Sequence, residues 1–273
     1  MTTIKLIQLE WSKWSKNSVF KTLMITYLAL SPSLIFMGKM LNQVPPLPSP
    51  SIIFEFPNVW DYLGYSGSWL AFFCLGYFGV YMITSEYGWR TLRQSIINGQ
   101  TRLDLLKGKL LFILIISLIA AIYYMIAGIA IGVYHSSTFT LQDILDTNYA
   151  PVRYFLMVLA YMIFGMMAGF LVKRSGLALF TYFTYILFAE RLVRWLFHYK
   201  LFGGNTHYYY PMNAVSDLMP NPLMKFADGV KVTSGTGNEA LHLLQSGESI
   251  TLTTIYVILF IAVSWMLLKK RDL

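Results

Sequence analysis

Glu190, Arg191, Arg194 and His198 stand close together near the end of an apolar run. Glu190 and Arg194 are spaced i, i+4 and His198 lies one turn further, so on a helix an acid, a cation and a titratable ring share one face. Ionisable groups at membrane depth are functional candidates by default. For Glu190 and Arg194 that role is an outer gate or a contact for substrate release. The competing role is a helix cap at the membrane interface, mutually neutralised, which the residues alone favour because interfacial pairs are common. No catalytic set accompanies them. His135, His198, His207 and His242 are scattered, Cys74 is a lone cysteine inside an apolar run, and no Ser/His/Asp, Cys/His or metal-ligand spacing is recoverable.

A second stretch offers docking rather than catalysis. Between two apolar runs, SEYGWRTLRQSIINGQTRLDLLKGKLL carries Arg90, Arg93, Arg102, Lys107 and Lys109, with Gly88, Gly99 and Gly108. Trp89, Leu92 and Ile96 recur with helical spacing, and Arg90, Arg93 and Ile97 form the neighbouring stripe. Asn98-Gly99 predicts a stop, and Thr101-x-x-Asp104 predicts a capped restart. The expected structure is helix, tight turn, helix. Such a segment serves as a lever for a soluble partner, or it sets topology and binds anionic headgroups; the residues weigh the two equally. A third candidate is the aromatic stripe Phe73, Tyr77 and Tyr81 at i, i+4 and i+8, flanked by Gly76 and Gly79. It could gate an amphipathic substrate, although helix packing explains most such stripes.

The elements that must position these groups are membrane spans. Hydrophobic residues make up 56% of the 273-residue chain and charged residues 12%, about half the charged share of a soluble domain. The apolar residues lie in runs long enough to cross about 30 Å of hydrocarbon as helices. Six spans are expected, at about 20–40, 67–84, 110–134, 152–172, 176–197 and 250–268, the first kinked at Pro32. A single transmembrane domain, all-α, results. Residues 1–18 should form an interfacial helix with Ile4, Ile7, Trp11 and Trp14 on one face and Lys5, Lys13 and Lys16 on another. The net charge of +8 lies beside the apolar runs, so orientation in the bilayer explains it and no nucleic-acid partner is expected. The Lys/Arg bias puts both termini and the 85–109 connection in the cytoplasm. The Pro-rich stretch before span two should be extended on the outer surface, and residues 198–249 form an outer loop with short helices expected at Ala214–Met219 and Glu239–Gln245.

Glu86, Gly88, Arg90, Thr91 and Leu92, then Gly99, Thr101 and Arg102, then Leu106 and Lys109, combine an acidic start, a small-residue turn and basic residues before a span. This arrangement resembles the connection between spans two and three of ABC transporter permeases of the type-2 exporter class. The layout of interfacial helix, six spans, long last outer loop and basic tail is similar to that class throughout. The resemblance implies a bacterial inner-membrane permease, dimeric with an identical or different second permease subunit. Its partner would be a cytoplasmic ABC ATPase that binds ATP and Mg, with no cofactor in this chain. Glu86, Gly88, Arg90, Thr91, Arg93, Gly99, Arg102 and Lys109 would then belong to a coupling helix docked on the ATPase, moving as a rigid body over Glu86–Ile97. Phe73, Tyr77, Tyr81, Glu190 and Arg194 would lie on the pathway or outer gate. The chain has no G-x-x-x-x-G-K-[ST] phosphate loop, so ATP hydrolysis would fall to the partner. A gradient-driven transporter would need carboxylates at mid-depth, which the spans lack. A non-transporting anchor that recruits an ATPase remains the alternative.

Overall fold

The computed structural model describes residues 1–36, 53–136, 149–202, 205–222 and 244–270, and all regular structure among them is helical. The first helix, α1, is Thr3–Trp14, followed by α2, Ser18–Phe36. A continuous helical run, Asn58–Gly88, is α3, and a short helix, Thr91–Ile97, is α4. Next come α5, Arg102–His135, α6, Ala150–Val172, and α7, Ser175–His198. After a last turn at Tyr199–Phe202 come the short α8, Pro211–Ser216, and finally α9, Ser246–Lys270. Six of these, α2, α3, α5, α6, α7 and α9, are long and apolar enough to span a membrane, so the chain is a multi-pass membrane protein.

Helix α6 lies at the centre, in contact with α3, α5, α7 and α9. Its approach to α3 depends on missing side chains. A Cβ on Gly79 would sit 2.3 Å from the carbonyl oxygen of Met162, and one on Gly165 would sit 2.4 Å from that of Gly76. The two backbones therefore touch, as small residues allow in a bilayer. Further along α6, towards its start, Tyr154 shares a 2.7 Å hydrogen bond with Tyr27 of α2 and stacks on Tyr124 of α5, ring centroids 4.3 Å apart. In the dry core these hydroxyls need such partners.

Three elements add detail to the sequence expectation. The second span begins at Asn58, so the end of the stretch read as extended is helical; Gly64 and Gly67 within it make room for Met219 and Tyr154, which a Cβ at either position would meet. Helix α2 runs through Pro32 to Phe36. Proline has no N–H for the Leu28 carbonyl, and the Tyr123 hydroxyl of α5 donates to that carbonyl instead. The buried stripe of α1 is Leu6, Glu10 and Trp14, whereas Ile4 and Trp11 are exposed. The ion pair between Glu10 and Lys109 of α5 turns that face inward. Most of the helix expected at Glu239–Gln245, much of the Pro-rich stretch before the second span and the tail from Arg271 lie outside the described residues.

Wide π-helical turns interrupt α3 at Ala71–Gly76 and α7 at Tyr185–Ala189 and Val193–His198. Such turns shift the phase of the side chains beyond them and recur at functional sites.

Candidate functional site

Two regions at opposite ends of the bundle gather the functional candidates. At the α1 end, the α3–α5 connection is assembled from local signals. Helix α3 stops at Gly88, and Arg90 adopts a left-handed backbone with φ 58°, which breaks the chain before α4. The expectation of one rigid helix over Glu86–Ile97 is corrected accordingly: Glu86 belongs to the last turn of α3, and only Thr91–Ile97 forms the separate helix. That helix ends as Asn98-Gly99 predicts. Gly99 has φ +88°, its N–H donates to Ile96 O at 2.9 Å, and the Gln100 N–H donates to Ser95 O at 3.0 Å, a Schellman closure. Thr101 and Asp104 then form a reciprocal capping box at the start of α5. The chain's amino terminus lies 3.4 Å from the Asp104 carboxylate.

Beneath the connection lies a cluster of four charges, three of them buried. The Lys109 ammonium of α5 contacts Glu10 Oε2 of α1 at 2.6 Å and also donates to Glu86 Oε1 of α3. Lys13 reaches both carboxylates, each at 3.2 Å. Trp14 Nε1 donates to Glu10 at 3.0 Å, and the Lys109 ammonium lies 5.4 Å from the Trp14 ring centroid. Burial pushes the Glu10 carboxyl up, but Lys109 and Lys13 outweigh it and hold the group below the usual carboxylate range. The charges sum to zero, the condition under which ions tolerate burial.

The sequence placed Glu86 and Lys109 on a docking face; their side chains are 2% and 1% exposed and bind each other. The outward side chains of the connection are instead Trp89, Arg90, Arg93 and Ile97, with Trp89 57% and Ile97 74% exposed. Gly88 and Gly99 are exposed and Thr91 is half-buried. Arg102 reaches the Leu268 and Lys269 carbonyls at the end of α9, where a cation meets the negative end of the helix dipole. Glu10 was not singled out by the sequence, and Lys13 was read only as part of the cationic face of α1. The available signal was the i, i+4, i+8 spacing of Leu6, Glu10 and Trp14, an acid in line with two large apolar residues.

The opposite end of the bundle holds a cavity of about 440 Å³ between α3, α6, α7 and the segment around α8. Glu190 lines it, and so does Arg194, but they do not form the expected ion pair with each other. Glu190 Oε2 accepts the Met212 N–H at 2.9 Å and its Oε1 accepts the Asn213 N–H at 2.8 Å. Glu190 thereby caps the first turn of α8 from another helix, supplying the anion that a helix N-terminus favours. Arg194 donates to the side-chain oxygen of the same Asn213, which in turn donates to Asp217 at 3.0 Å. Burial raises the Asp217 carboxyl to about 6, against the lowering effect of the Leu244 N–H and Arg194. Asn213 and Asp217 are functional candidates that only the structure reveals, because the contacts come from a loop helix.

The aromatic stripe divides differently from the expectation. Phe73, Tyr77 and Tyr81 do not line the cavity; Trp69 and Phe72 do. Phe73 packs on Phe183 of α7 at 5.4 Å between centroids, while Tyr77 stacks on Tyr81, which continues to Trp14 and Trp89. The π turn at Ala71–Gly76 offsets Phe73 from the two tyrosines. Among the described residues no group of His, Cys, Asp and Glu is arranged to hold a metal.

No match was found among curated proteins. Residues 46–273 match a family described as "Protein of unknown function (DUF2705)", which covers both the α3–α5 connection and the cavity, and the chain belongs to that family.

Proposed function

We propose that this protein is the permease subunit of an ATP-binding cassette exporter, with α4 as the coupling helix and a separate ATPase as the motor. In this reading the α1 end faces the cytoplasm of a bacterial cell, α1 lies in the interface, and a second permease subunit completes the complex. The observation that carries it is the construction of the α3–α5 connection. A loop that merely joins two spans needs a few polar residues. This one presents an exposed face of Trp89, Arg90, Arg93 and Ile97 on a helix closed by a Schellman turn and a capping box. Directly behind it, the buried Glu10–Lys109–Glu86 cluster ties the connection to α1. A force applied to α4 would therefore reach α1, α3 and α5 together, and ATP-driven closure of the motor would shift the spans by its differential affinity for two states.

The test is affinity purification of the chain from its native membranes, with ATP hydrolysis as the readout. The wild-type chain is expected to bring down an ATPase, and Trp89→Ala combined with Arg93→Glu to lose it while remaining folded. The chain freed of its partner is expected to hydrolyse no ATP. Hydrolysis by the isolated chain, or equal recovery of ATPase with the double variant, would overturn the reading.

A further inference from the structure

The cavity opposite α1 has walls of two chemistries. Trp69 and Phe72 of α3, Tyr161 of α6 and Ile186 of α7 form an apolar, mainly aromatic side, and Arg191 and Arg194 of α7 supply cations. At about 440 Å³ it falls within the range of small-molecule sites.

The hydrogen bonds leave the cations free and the acids occupied. Both Glu190 oxygens accept backbone N–H groups of α8, and Asp217 accepts from Asn213 and from the Leu244 N–H. Arg194 spends one terminal nitrogen on Asn213, but its buried Nε has no hydrogen-bond partner. Arg191 makes no hydrogen bond or ion pair among the described residues. A buried guanidinium edge without an acceptor costs stability, and carboxylate or phosphate oxygens are its best-matched partners. With Glu190 and Asp217 already accepting from N–H groups, the two neighbouring cations favour an anionic over a cationic ligand, and the aromatic wall favours an apolar body over a small hydrated ion.

We propose that this cavity binds an amphipathic anion, with its carboxylate or phosphate head on Arg191 and Arg194 and its apolar body against Trp69, Phe72 and Tyr161. The site needs only this chain. Failure of the binding would leave the ATPase partnership standing, and failure of that partnership would leave the binding standing.

The experiment uses the full chain purified in an uncharged maltoside detergent and titrated with dodecyl phosphate, read by tryptophan emission and by calorimetry. Wild type is expected to bind saturably, and Trp69→Phe to lose most of the emission change. Arg191→Gln, which removes no contact within the fold, is expected to weaken binding at least tenfold, and dodecyltrimethylammonium to bind at least tenfold more weakly than the phosphate. Repeating the titration in bilayer discs distinguishes the source of the anion. Competition by phosphatidylglycerol but not phosphatidylcholine assigns the site to a lipid headgroup, and absence of competition assigns it to a free amphiphile. Wild-type affinity in Arg191→Gln, equal binding of the cationic surfactant, or no saturable binding would overturn the proposal.

Discussion

Lys109 of α5 and Glu10 of α1 are 99 residues apart in the chain and form a buried ion pair of 2.6 Å. Glu86 shares the same ammonium, and its second oxygen, Oε2, is buried without a hydrogen-bond partner. The cluster holds the amino-terminal helix against the connection that follows the second span.

Removing the shared cation leaves two carboxylates buried together. Lys109→Met is expected to destabilise the protein by about 3–5 kcal/mol, the cost of breaking a buried pair from one side. Adding Glu10→Gln and Glu86→Gln to that variant should recover most of the loss, because the only charge then left in the site is that of Lys13, which is partly exposed to solvent. Thermal unfolding in detergent of the single and combined variants measures both effects; an additive loss would exclude the coupling.

Acid should release α1 late. The Glu10 carboxyl is held below its usual range, so its stabilising contribution is fully present above the ordinary carboxylate pKa of about 4.3 and is lost as pH falls through the lower folded value. A cysteine cross-link or fluorescence transfer between α1 and α5 should stay constant from pH 8 to about pH 5 and fall only in stronger acid.

Asp217 has the opposite sign. Its carboxyl is raised from 3.8 to about 6 in the fold, so the folded α8 segment binds the proton more tightly than a detached one. Docking of α8 should strengthen as pH drops from 7.5 through 6, with the gain complete near pH 4 and no more than about 3 kcal/mol. Hydrogen-exchange protection of α8, corrected for intrinsic rates, measures it; Asp217→Asn should remove the part of the dependence centred near pH 6.

Glu190 acts on the same segment as a cap. Glu190→Ala removes acceptors from the Met212 and Asn213 N–H groups and is expected to cost about 3 kcal/mol, with Glu190→Gln costing about half as much. The loss should appear as faster exchange confined to α8, with the membrane spans unaffected. Uniform destabilisation would contradict the capping role.

Glycine substitutions should separate contact from loop. Gly165→Ala drives a methyl into the Gly76 carbonyl and should cost about 1–3 kcal/mol. Gly88→Ala meets nothing within 4 Å and should be neutral or stabilising by about 0.5–1 kcal/mol. Melting temperatures of the two variants in the same detergent provide the comparison.

The amino-acid sequence by itself determined the helical membrane class, the six spans and the stop and restart at Asn98–Asp104. Hydropathy over one helix length and the hydrogen bonds of a cap are local properties, complete within a few turns of chain. Tertiary structure decided which side chains meet. The sequence expectation paired Glu190 with Arg194 four residues along, but in space both turn to Asn213. It also turned Glu86 and Lys109 outward, whereas inside the fold Lys109 sits between Glu86 and Glu10 of a distant helix, with Lys13 balancing the second carboxylate. Ion pairing in a low-dielectric interior depends on which helix faces come together, and that follows from packing contacts such as Gly79 on Met162, set by residues far apart in the chain.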